Sequence, residues 1–113
     1  EIFDIKSKTL NKFFPYQLNN GNQINEEDFK YRYESFYKNL DKTDDLLVLN
    51  MDKNNIEGYI GYETFAEMSY VIANNIVNNN SKKIFLYKIP SKELGCYEEI
   101  MHFIKLGYIE IYK

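Results

Sequence analysis

Apolar positions along the chain switch several times between a helical and a strand-like period. Residues 2–10 (IFDIKSKTL) are apolar at 2, 3, 5 and 10, a loose helical spacing that Asn11 ends. The aromatic run 12–16 (KFFPY), broken by Pro15, predicts a brief strand leading into a loop over 17–25, with Asn20-Gly21 as its sharpest turn. A helix follows over 26–42. It begins acidic and ends basic, which suits the helix dipole, and Asn25 is placed to cap it. Phe29, Tyr33, Phe36, Tyr37 and Leu40 recur every three or four residues and mark its buried face.

Residues 44–50 (DDLLVLN) form a continuous apolar run, the pattern of a strand covered on both sides. A polar loop leads to a second helix over 62–78, with Phe65, Met68, Ile72 and Ile76 on its inner face. The turn NNNSKK precedes a second buried strand, 83–89, which Pro90 stops. A third helix starts near Lys92 or Tyr97 and ends at Leu106, with Gly107 as its C-cap. The terminal run 108–113 (YIEIYK) alternates as an edge strand does. This order predicts one α/β domain over 1–113: three layers, a mostly parallel twisted sheet, and helices on both faces.

Composition narrows the function classes. At 113 residues with 44% apolar side chains, the chain has material for one core. Net charge is −3, the lysines are scattered and Arg32 is the lone arginine, which argues against a nucleic-acid polymer as partner. No apolar run approaches a membrane span of about 18 residues, so no membrane association is expected. The single Cys96 has no internal disulfide partner, which fits a reducing, cytoplasmic setting. The chain begins at Glu1 without a methionine, so an upstream segment is a possibility.

Ligands of parallel α/β sheets bind beyond the carboxyl ends of the strands. Here that zone comprises the loop after Asn50, the start of the 62–78 helix near Thr64 and the loop after Ile89. Asn50 and Asp52 stand at the strand end as hydroxyl contacts or as loop formers. Asn50, Asp52 and Asn54 have calcium-loop spacing, but Asn55 and Gly61 replace the required Gly and Glu. One His (His102) and one Cys exclude a zinc set, no P-loop or dinucleotide fingerprint occurs, and no metal or cofactor is expected. Glu67 has two readings. Thr64 and Glu67 fit a capping box, and the same carboxylate at a helix mouth is placed for catalysis. Glu63, one turn earlier, adds a second carboxylate that would raise one of the two pKa values, or else belongs to a solvated acidic edge.

The strand LLVLN, the loop DKNNIEGYIG, the helix start TFAEM and the strand KKIFLYKIP together resemble the nucleoside 2-deoxyribosyltransferase-like superfamily. The resemblance is nearest to a branch with a YIGGNTFxEM-like motif. It implies a flavodoxin- or Rossmann-like sheet, here without the usual first strand. It also implies a nucleoside or nucleotide ligand, with Gly61, Tyr62, Glu63 and Thr64 beside it. Glu67 takes the nucleophile's position: it would attack the anomeric carbon, expel the base and pass the sugar to water or a second base. The family's Asp six residues earlier is Gly61 here, and its further acidic position falls on Phe36. Catalytic members assemble as dimers or larger oligomers, so a homo-oligomer is expected. The alternative is a non-catalytic nucleotide-binding or structural protein of the same fold.

Overall fold

A computed structural model describes residues 2–4, 9–10 and 26–113. The elements are β1 (Ile2–Asp4), β2 (Thr9–Leu10), α1 (Glu26–Lys42), β3 (Leu46–Val48), α2 (Tyr62–Asn78), β4 (Ile84–Leu86), α3 (Tyr97–Lys105) and β5 (Glu110–Ile111). One sheet orders its strands β2-β1-β3-β4-β5. Strands β3, β4 and β5 run parallel, each joined to the next by a helix, so the chain is α/β with a parallel sheet. No described helix is long and apolar enough to cross a membrane.

The first residues depart from the helix that their spacing predicts. Ile2–Asp4 and Thr9–Leu10 pair antiparallel, and Ile2–Asp4 pairs antiparallel with β3. Four apolar positions in nine residues do not separate the two periods, and a ladder partner on β3 decides for the strand. The flank of β3 away from β4 is thus taken by β1, running the opposite way. The brief strand at 12–16, the loop at 17–25, the stop at Asn11 and the cap at Asn25 lie outside the described residues.

All three residues of β3 are buried, as its unbroken apolar run requires. Alternate side chains share a face, so Leu46 and Val48 stand beside Ile84 and Leu86. These four join Leu40 of α1, Met68, Val71 and Ile72 of α2, and Ile100 of α3 in one core. Each such side chain contributes about 1.5–3 kcal/mol by leaving water. Leu47 and Phe85 point to the other face, where the Tyr112 ring meets Phe85 edge-on at 5.6 Å. Phe65 of α2 stacks on Phe103 of α3, 6.3 Å between centroids, and Tyr37 of α1 meets Tyr70 of α2 edge-on.

Two predicted helix faces are narrower than their patterns suggest. Ile76 is 55% exposed, while Val71 takes a core position that the pattern did not mark. On α1 the buried residues are Asp28, Phe36 and Leu40; Phe29 and Tyr33 are each 42% exposed. Helix α3 ends as its sequence predicts. Gly107 has φ +83°, Tyr108 N–H donates to Phe103 O, and Gly107 N–H donates to Ile104 O. That pair of bonds closes a Schellman motif.

Candidate functional site

The loop between β3 and α2 is built around three residues. Asn50, 2% exposed, donates through Nδ2 to Gly58 O at 3.2 Å and Lys88 O at 2.6 Å. Its Oδ1 accepts from Lys88 N–H at 3.2 Å. Both ends of the amide therefore tie the loop after β3 to the loop after β4. Asp52 Oδ1 accepts Gly58 N–H at 3.0 Å and the Lys88 ammonium at 2.7 Å. The Lys88 bond, then the Gly58 bond, hold the Asp52 carboxyl below its usual range. Gly58 has φ +63°, and a Cβ there would stand 2.8 Å from Pro90 Cα. The Asn54-Asn55 turn, both at positive φ, lets Lys53 pair with Ile56.

Helix α2 starts at Tyr62, with Gly61 as N-cap and no side-chain cap bond. Thr64 is consequently the third residue of the helix and Glu67 lies in its second turn. The capping box does not form. With the helix beginning two residues before Thr64, the Glu67 N–H that the Thr64 hydroxyl would have to receive already lies inside the helical ladder.

Freed from capping, Glu67 faces α1 and is 9% exposed. It lines a cleft of about 200 Å³ with Glu63, Tyr62 and Ala66 of α2 and Tyr33, Phe36 and Tyr37 of α1. Burial pushes its carboxyl up from 4.5 to about 7; the positive charge at the start of the chain opposes, Glu63 pushes the same way as burial, and Arg32 opposes last. Glu63 is tied across the cleft mouth. Arg32 Nη2 donates to its Oε2, and Tyr33 Oη donates to Oε1 at 3.4 Å. The Arg32 guanidinium also lies 5.5 Å from the centre of the Phe36 ring. Tyr62, 91% exposed, stands at the rim.

An open groove adjoins the cleft and shares Tyr62 and Glu63 with it. Asp52, Lys53, Tyr59, Gly61 and Thr64 contribute to its walls. Six of the seven site residues picked from the sequence thus line these two spaces. Asn50 lines neither, because its amide is committed to backbone. Sequence reasoning missed Arg32, Tyr33 and Tyr37 as site residues and met Phe36 only as a departure from the family pattern. The available signal was the chain's lone arginine, four residues before Phe36 on a helix with an aromatic stripe.

A polar depression at the other end of the sheet offers less chemistry. It is lined by Asp41, Asp44, Asp45, Tyr70, Asn74 and Lys82, among others. Tyr70 Oη donates to Asp41 at 2.7 Å, and Lys82 Nζ donates to Leu40 O and Asp41 O. These bonds cap the end of α1 and hold the turn before β4. Among the described residues, no three His, Cys, Asp or Glu side chains gather to hold a metal ion.

Comparison of the chain with protein-family models, with curated proteins and with solved structures gives no match.

Proposed function

We propose that the α1–α2 cleft binds a nucleoside or nucleotide and that Glu67 acts on its N-glycosidic bond, by hydrolysis or by deoxyribosyl transfer. The observation that carries this reading is the Glu67 carboxyl: buried under aromatic rings and raised to about 7. Carboxyls shifted that far by burial, in a cleft, are characteristic of reacting groups. The rings of Tyr33, Phe36, Tyr37 and Tyr62 suit a flat base, and about 200 Å³ holds one ring system. In its ionised form Glu67 attacks the anomeric carbon while the C–N electron pair leaves with the base. Water or a second base then displaces the glycosyl ester. Cys96 as the lone cysteine favours the cytoplasm as the place of this work.

A second reading keeps the fold and drops the chemistry: the cleft holds a nucleotide uncleaved, or its rim joins two copies of the chain. The exposed rings of Phe29, Tyr31, Tyr33 and Tyr62 favour it. Incubation with the common nucleosides and nucleotides, with base release followed by chromatography, separates the two. The cleavage reading expects time-dependent free base from the wild type and none from Glu67→Ala. Equal traces from both proteins, across every base and phosphorylation state, reject it.

A further inference from the structure

The cleft walls discriminate between kinds of base. Its described lining is four aromatic side chains, one alanine and two carboxyl groups, with no cationic side chain. An aromatic face attracts a cation through its quadrupole, and a carboxylate does so by charge. The protein already uses both attractions at this wall: the Arg32 guanidinium packs over Phe36 and pairs with Glu63.

We propose that the base entering the α1–α2 cleft is cationic, carrying a fixed positive charge as in an N-ribosylated pyridinium or an N-alkylated purine nucleoside. The proposal rests on the nucleoside reading of the cleft and names the class of substrate within it. Departure of a neutral base calls for a proton on the ring as the C–N bond breaks. Both Glu63 oxygens already accept bonds, from Arg32 and Tyr33, and Gly61 has no side chain to supply a proton. A cationic base removes that requirement. As the bond breaks, its electron pair passes to the ring nitrogen and cancels the charge. A cationic nucleoside and an ionised Glu67 become a neutral free base and a neutral glycosyl ester. Atoms and charge balance with no proton transferred. The groups acting on Glu67 are the positive charge at the start of the chain, Glu63 on its own helix, Arg32, Tyr33 and Tyr37 from α1, and Tyr62 at the rim.

The test uses two probes of one shape, N-methylpyridinium and 4-methylpyridine, titrated calorimetrically into the wild type at a pH of about 8.5, where the second is neutral. The cation is expected to bind about tenfold tighter, within the range of a partly desolvated cation–π contact. The preference should shrink severalfold in Glu67→Gln, and also in Tyr62→Leu, where the substituted side chain is exposed. Equal binding of the probes, binding of neither, or a preference that both variants retain in full overturns the proposal. Glu67-dependent release of neutral bases without a cation preference would sink this inference alone. A cation preference without base release from any nucleoside would sink the cleavage reading alone.

Discussion

The loop after β3 and the α1–α2 cleft lie side by side, share Tyr62 and Glu63, and spend their polar side chains in opposite ways. In the loop, Asn50 and Asp52 make five bonds between them, four to backbone groups of Gly58 and Lys88 and one to the Lys88 ammonium. The buried Asn50 amide and the exposed Asp52 carboxylate, so satisfied, hold the chain in place. In the cleft, Glu67 is nearly as buried, but its surroundings penalise its charged form and shift its proton toward neutral pH. The contrast separates a polar side chain spent on structure from one whose ordinary charge state burial penalises, both at the sheet's carboxyl edge. Burial is common to both; what differs is whether the environment stabilises the state the side chain already has.

The largest effects should fall on the loop. Gly58→Ala forces an L side chain into φ +63° and sets a Cβ against Pro90 Cα, so a loss of about 3 kcal/mol or more is expected. Asn50→Ala strands Gly58 O, Lys88 O and Lys88 N–H together, for about 3 kcal/mol. Urea denaturation at neutral pH measures both. Either variant unfolding within about 1 kcal/mol of the wild type would break the assignment of the loop as scaffold.

The same contrast explains what the sequence made legible. The strand 44–50 and the helices over 26–42 and 62–78 were readable because their periods are long or unbroken. The tie between Asn50 and Lys88 joins residues 38 apart, and no local pattern encodes it. Glu67 was readable as a position but not as an environment. Its neighbours Phe36 and Tyr37 come from α1, and the capping-box pattern at Thr64 competed with the helix start at residue 62 that the apolar period predicts and the fold adopts. Residues 2–10 failed for a related reason: β1 exists because β3 offers it a ladder.

The next effect sharpens the comparison through pH. Native Glu67 holds its proton to about 7, against 4.5 when unfolded. The folded state therefore binds more protons between those values, and stability is highest below 4.5 and declines as pH rises through about 7. The decline attributable to Glu67 is about 3 kcal/mol. Glu67→Gln removes it, so that variant should match the wild type near pH 4.5 and exceed it by about 2–3 kcal/mol at pH 8. Asp52 has the opposite sign: its folded value is lowered, so its contribution is present above 3.8 and fades as pH falls through the folded value. Denaturation curves of Glu67→Gln and Asp52→Asn across pH separate the two carboxyls. A pH-independent offset for Glu67→Gln would place its charge in water and dissolve the contrast. If Glu67 attacks as proposed, the sign for catalysis is reversed, because the attacking form is the ionised one, and base release should climb as pH passes about 7.

The smallest effect on folding belongs to Tyr62, and it carries the most information about the cleft. At 91% exposure its ring contributes little to the core, so Tyr62→Ala should change stability by less than about 0.5 kcal/mol. If the rim only covers apolar surface, ligand binding should change as little. If it forms one wall of a stacking site, affinity for a base should fall about fivefold to tenfold while the denaturation curve stays in place, stacking on one ring being worth about 1 kcal/mol or more. An affinity and a stability that move independently at one residue cannot both follow from packing. Calorimetric titration of Tyr62→Ala beside its urea curve thus asks whether the cleft, unlike the loop next to it, has an exposed residue whose role is outside the fold.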